Sequence, residues 1–458
     1  MSEMNSIRKI LREQRIDQWD IYVEEAEEYE IQLRNFDVEV VRGPVTNSGY
    51  SVRVIKPKNK KVGIGIGTGN NLQPEHIRRC LNTASIGADI TEFPGYIMPK
   101  PKAFSTVKIA DPEIISDAES VVKDKAEQLQ SLLKQSKSVL PTFGKIRAYI
   151  VSTNINNSEG VQAEKKETLL YVELALKAES EGKLAEYWPT LIVRRNEDLQ
   201  LEHKIPRWTK LAEDTLKAKA PKTMKTAVIF TPDTLGNLLP GTVGFHCLGS
   251  TVFKGVSKFN KGDQVGSNEL TIYDDGLYDY GLGSSPFDDE GTPQSRTVLI
   301  EKGLHKNFLY DEMYGAVQKE NSTGNGLKLR QIDLKYSSLP SLQPSNIVVR
   351  PGNMSLDEMI ATTKEGIYVE QFSAAHSDSL TTSFGSEIRN ACLIEKGELS
   401  TPLKGGQISG FLLDSQEAEG EKTRGLINRV SGITREFQLS RRCITPYIRF
   451  DGVQVSGK

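Results

Sequence analysis

The chain of 458 residues lacks several features that define whole classes of protein. Its four cysteines, Cys80, Cys247, Cys392 and Cys443, share no C-x-x-C spacing and are too sparse for a disulfide framework. No H-E-x-x-H or G-x-S-x-G occurs, and the five histidines (His76, His203, His246, His305, His376) are scattered. There is no excess of one charge. With 58 basic and 60 acidic residues the net charge is −2, which provides no field to attract nucleic acid or an anionic membrane. Nor is there a long apolar run. The uncharged stretch Thr234–Phe253 holds Asn237, Pro240, His246 and four glycines, too polar for a spanning helix. Met1 to Asp20 is polar and charged, unlike a secretion signal, so a soluble cytoplasmic protein is expected.

What is present points to an α+β chain of two domains, because this length exceeds one compact core. An amphipathic helix is expected over the first sixteen residues. From Trp19 the alternation in "WDIYVEEAEEYEIQLRNFDVEVV" predicts strand, followed by a hairpin made of "YSVRVI" and "VGIGIGTG". Helices are expected from Pro74 to about Ala88 and from Pro112 to about Lys137, then a run of strands. The expectation is therefore an N-terminal domain (1–220) with an antiparallel sheet and flanking helices, and a β-rich C-terminal domain (221–458). Their boundary should fall within 200–226, where a charged helix over Lys210–Met224 ends at a proline. Beyond it, "LIEKGL" (299–304) and "LIEKGE" (393–398) repeat a hairpin phrase with glycine at the positive-φ position.

Four stretches suggest chemistry. "GIGIGTGN" fits neither the dinucleotide fingerprint nor a Walker loop, and reads as a strand softened by glycine. The carboxylates Asp274, Asp275, Asp279, Asp288, Asp289 and Glu290 lack calcium-loop spacing and read as turn and core residues. Ser6 to Lys9 matches S-x-x-K without its companion motifs, a chance match. In "PGTVGFHCLGS", His246 and Cys247 stand together, but Thr242 and Ser250 flank His246 at helical spacing, so no second strong ligand shares its face.

The C-terminal half carries "KGVSKF", "LTIYDDG", "GSSPFDDEGTPQSRTVLIEKG", "STGNG", "PSNIVVRPG", "EGIYVEQF" and "LIEKGELSTPLKGGQISG". In order and spacing these resemble the TldD/PmbA family over roughly Thr226 to Gly410. That family pairs a zinc metalloprotease, TldD, with a related partner, PmbA or TldE, and the name "modulator of DNA gyrase" travels with it. In the proteolytic member a helix carries H-E-x-x-x-H, two zinc ligands and a base for the bound water. The resemblance places Pro240 at the first histidine, Gly241 at the glutamate and Phe245 at the second histidine. A slip of one residue makes His246 the second ligand, still without a first ligand or a base. The family's late cysteine ligand lies in a glycine-rich segment, whereas Cys443 lies in "RRCITPYIRF".

The resemblance thus implies a PmbA/TldE-type, non-catalytic subunit, with no catalytic residue and no metal of its own. Zinc is expected in a TldD-like partner, the partner in a heterodimer, and the substrate is expected to be peptide. Neither nucleic acid nor a membrane is an expected partner. Two alternatives stay open: a self-sufficient zinc peptidase in which His246 joins His376 or Cys443, and a homodimeric peptide-binding protein.

Overall fold

A computed structural model describes residues 2–136, 138–328, 334–375, 377–416 and 422–457. An amphipathic helix, α1 (Ser2–Glu13), buries Met4, Ile7, Ile10 and Leu11, as its spacing predicts. The alternating stretch from Trp19 resolves into β1 (Trp19–Arg34) and β2 (Asp37–Lys58), because Asn35 takes a left-handed turn at φ 54°. β3 (Lys61–Gly69) completes a three-stranded antiparallel unit. Helices α2 (Pro74–Ile90) and α3 (Pro112–Lys134) follow, each with proline in its first turn. β4 (Val139–Asn157), β5 (Gln162–Ser180), β6 (Lys183–Tyr187) and β7 (Thr190–Val193) then extend the sheet to seven antiparallel strands in the order β3-β2-β1-β4-β5-β6, with β7 also on β5.

The glycines of "GIGIGTG" serve packing. A Cβ at Gly63, Gly65 or Gly67 would lie 1.8–2.0 Å from the carbonyl oxygens of Ala88, Ala84 and Cys80 on α2. Alternate strand positions therefore match every fourth residue of the helix, and only glycine lets the two backbones come so close.

One expectation needs correction. The charged helix expected over Lys210–Met224 is α4, Leu201–Lys217, and residues after Lys217 run extended. Pro206 lies inside the helix. The helix survives because Leu201, Ile205, Trp208, Ala212 and Thr215 bury one stripe against the sheet.

The second half is β-rich, as expected. β8 (Met224–Phe230) leads into α5 (Pro232–Leu238) and α6 (Gly249–Phe253). Strands β9 (Ile272–Asp275), β10 (Arg296–Glu301) and β11 (Leu304–His305) precede α7 (Glu312–Gln318). Short β12 (Gly326–Leu327), β13 (Ser341–Leu342) and β14 (Ile347–Val349) precede α8 (Leu356–Ala361). β15 (Glu365–Phe372), β16 (Ser383–Glu395), β17 (Glu398–Leu403) and β18 (Gln407–Phe411) follow. After the small pair β19 (Ser415–Gln416) and β20 (Lys422–Thr423), the chain ends in β21 (Val430–Ser440) and β22 (Cys443–Ser456).

Eleven of these strands form one sheet, and β22 pairs with both β18 and β8. Pairing thus closes through β8, β15, β16, β18 and β22 into a small barrel, which leaves those strands few free edges. Phe230 sits inside it, 5.8, 6.4 and 5.5 Å from the rings of Phe372, Phe384 and Phe450. Both "LIEKG" phrases are hairpins with positive φ at two residues, Lys302 with Gly303 and Lys396 with Gly397, as a type I′ turn requires. The fold is α+β. Among the described residues no helix is long and apolar enough to cross a membrane.

Candidate functional site

Thr231 caps α5, its hydroxyl accepting from the Thr234 N–H at 3.4 Å. At Pro240 the helix widens into a π-helical turn over Pro240–Gly244, held by the Gly244 N–H on the Leu239 carbonyl at 3.0 Å. Proline donates no hydrogen bond and crowds the preceding turn, and the wider winding absorbs both effects. A π turn brings residues five apart nearer to one face than an α-helix does, which is the expectation for Pro240 and Phe245.

None of the three positions assigned by the resemblance carries a ligand atom. Pro240 is half-buried, and Gly241 is exposed, with nothing within 4 Å of where a Cβ would lie. Phe245 packs on the core and against the His246 ring at 5.3 Å. His246 is buried, and its Nδ1 accepts from the Lys258 N–H at 3.1 Å. Its Nε2 has no hydrogen-bond partner among the described residues. Burial, helped by the Lys258 ammonium, pushes its pKa down to about 4 against the nearby backbone of Leu380 and Ser379, so the ring is neutral.

Phe259 separates this ring from a second buried histidine, His305, at 5.9 and 5.1 Å from the two. The Cys247 thiol is pushed up by burial and by Asp274, which removes it as a nucleophile at neutral pH. Cys443 lies on β22 in the same apolar cluster, its thiol raised to about 12 by burial. His376 lies outside the described residues. Among the described residues no three His, Cys, Asp or Glu side chains gather as a metal site. The described donors alone do not make a zinc site.

The acidic stretch builds a different structure. Asp288 accepts from the N–H groups of Glu290, Thr292 and Gly326. Asp289 receives both Lys335 Nζ contacts at 3.0 and 3.1 Å, and the Lys328 N–H at 2.8 Å. Burial would raise the Asp289 carboxyl, yet Lys335 and Lys165 hold it at about 2. Glu290 pairs with Arg53 of β2 at 3.0 Å, and Arg53 also binds Asp20 at 2.6 Å and the Tyr96 hydroxyl at 2.8 Å. Lys328 Nζ reaches Ser51 at 3.1 Å, and Glu24 accepts from the Lys335 and Tyr336 N–H groups. Arg194 pairs with Glu167 and donates to the carbonyls of Gly281, Leu282 and Ser284. The motif "SPFDDEG" therefore fastens the first sheet to the second half of the chain.

The cations of this junction were missed in sequence. The available signal was Arg53 among the valines and isoleucine of "YSVRVI", a charge on a strand otherwise built for burial.

The scaffold is α+β, two sheets locked by a buried polar junction, with α5 and the π turn that follows it packed beside the second. The family model described as the PmbA/TldA metallopeptidase C-terminal domain matches residues 223–457, and that described as domain 1 matches residues 19–88. The chain belongs to the TldD/PmbA family. It is 27% identical over 456 residues to a protein of Methanocaldococcus jannaschii named a metalloprotease, covering 96% of this chain and 94% of that one. A Saccharolobus solfataricus protein named a zinc metalloprotease TldD homolog is 22% identical over 405 residues, covering 86% and 84% of the two chains. Among solved structures, TldE from Thermococcus kodakarensis superposes with a TM-score of 0.83 at 21% identity, covering 99% of this chain and 100% of that one. A Thermotoga maritima protein with a gyrase-modulator name gives 0.81 at 19%, covering 99% of both. At these identities the structural matches establish the fold.

Proposed function

We propose that this chain is the non-catalytic, PmbA/TldE-type subunit of a TldD/TldE-type zinc metalloprotease complex that hydrolyses peptides. The observation that carries the reading is the chemistry of the π turn. Pro240, Gly241 and Phe245 supply no ligand and no base, and the adjacent His246 is buried and neutral. A TldD-like subunit with H-E-x-x-x-H would bring zinc and the base, and this chain would complete the assembly as its heterodimeric partner. Four free cysteines, three of them buried, accord with a reducing, cytoplasmic setting.

The test is co-expression with the TldD-like protein of the same genome, followed by metal analysis of each purified chain. The expected result is a co-purifying pair with peptidase activity, and zinc in the TldD-like chain alone. Stoichiometric zinc in this chain that disappears in His246→Gln would overturn the reading in favour of a self-sufficient peptidase. A chain that purifies only with itself would favour the homodimeric peptide binder.

A further inference from the structure

β2 is 22 residues long, but β3 covers its outer edge only from Tyr50 to Lys58. From Asp37 to Gly49 it pairs with β1 on its inner side, and no backbone hydrogen bond among the described residues meets its outer side. Pro44, which has no N–H, bounds the outer edge at residues 37–43, a stretch with one bulge at Glu39. Beside this stretch a groove of about 370 Å³ opens between β1, β2 and α3. The register shift at Gln32/Leu33 sets Val38 opposite Leu33 and Val41 opposite Ile31, both of which pack on the helix side of the sheet. Val38 and Val41 line the groove with 46% and 71% of their surface exposed.

We propose that residues 37–43 of β2, with the groove beside α3, take up an extended peptide segment by strand addition. The unpaired N–H and C=O groups on either side of the bulge match another extended backbone, and the groove supplies side-chain selection. The wall contributed by α3 carries Glu119, Lys123 and Glu127 four residues apart, and none makes an ion pair among the described residues. Arg42, the groove's other cation, is held by Glu28 at 2.7 Å. The wall is therefore net acidic, and the segment it fits carries an apolar residue beside a basic one. The proposal rests on the peptide-handling reading above for its purpose, since it gives the non-catalytic chain a place to hold substrate.

The experiment titrates the full-length isolated chain into a fluorescein-labelled peptide, Val-Thr-Lys-Thr-Val-Thr-Val, read by anisotropy, with hydrogen exchange of residues 37–43 in parallel. Saturable binding is expected, with slowed exchange over that stretch. Val41→Asp, at an exposed position where folding is not at stake, should weaken binding by about tenfold or more. N-methylation of alternate peptide residues, which removes backbone donors, should abolish it. No saturable binding, unchanged binding by the N-methylated peptide, or indifference to Val41→Asp overturns the proposal. So does a concentration-dependent dimer dissolved by Val41→Asp, because a second copy then covers the edge. Because the TldD-like chain is absent from this experiment, its failure and a failure of co-purification are distinguishable.

Discussion

Arg53 and Glu290 form an ion pair 3.0 Å long across 237 residues of sequence, with both side chains about 4% exposed. The pair joins β2 of the first sheet to the loop before β10 of the second. Around it the junction is ionic on both sides: Asp20 also binds Arg53, and Asp289 is shared by Lys335 and Lys165. A junction of this kind gains specificity more than stability, because desolvating the charges offsets most of their attraction. Breaking it from one side is costly, since the other charges stay buried and unmatched.

Arg53→Met is therefore expected to lower stability by about 3–5 kcal/mol, read as the midpoint of urea unfolding. The fall should appear in a single transition that reports both sheets together. A loss below about 1 kcal/mol, or two separated transitions, would show that the halves are stabilised independently.

Two glycines should respond to alanine in opposite directions. A methyl at Gly65 would sit 1.9 Å from the Ala84 carbonyl, so Gly65→Ala should push β3 off α2 and cost about 1–3 kcal/mol or more. Gly241 has helical backbone and nothing within 4 Å of the added methyl, so Gly241→Ala should be neutral or stabilising by up to about 1 kcal/mol. Thermal unfolding of the two variants distinguishes the cases, and equal effects would contradict the packing described for β3.

Much of the fold was legible because it depends on local rules. Alternation marked β1 and β5, prolines opened α2 and α3, and the two "LIEKG" phrases announced their turns. α4 was placed too late because its charged second half stands out in sequence, whereas its start is fixed by tertiary burial of Leu201, Ile205 and Trp208. The candidate site was legible only as an absence. Pro240 and Gly241 say by their chemistry that they cannot bind zinc, whereas the π turn that aligns Pro240 with Phe245 has no sequence period of its own. The junction was hidden for another reason. Asp288, Asp289 and Glu290 resemble a turn in sequence, and their partners Arg53, Lys165 and Lys335 come from separate elements that only the packed fold brings together.

Acid should weaken the packing around His246 at the candidate site. His246 ionises near 6.5 when unfolded and near 4 when folded, so between those values the unfolded chain holds the extra proton. Stability then falls as pH drops from about 6.5 towards 4. His305, lowered mainly by burial, acts in the same direction. Asp274, raised by burial to about 7, opposes both, because its proton is held by the folded state. His246→Gln is expected to flatten the acid side of the stability profile by up to about one proton per molecule. A profile from pH 4 to 7 that matches the unsubstituted chain would mean that His246 already titrates freely in the fold.

The π turn itself can be tested by returning ligands to it. Residues 240 and 245 are expected to share a face in the wider winding, whereas in a regular α-helix they would diverge. Pro240→His combined with Phe245→His should therefore create a two-histidine site at the π turn. Gly241 leaves open space beside it, and two ligands on one rigid element need little ordering to bind a metal. Cobalt(II) titration, followed by visible absorption, is expected to show binding at least about tenfold tighter than in either single variant. The double variant loses part of the Phe245 packing, so circular dichroism should accompany the titration. If it folds and binds cobalt no better than the singles, the turn does not align the two positions. The departure from a metal centre would then lie in the backbone as well as in the missing side chains.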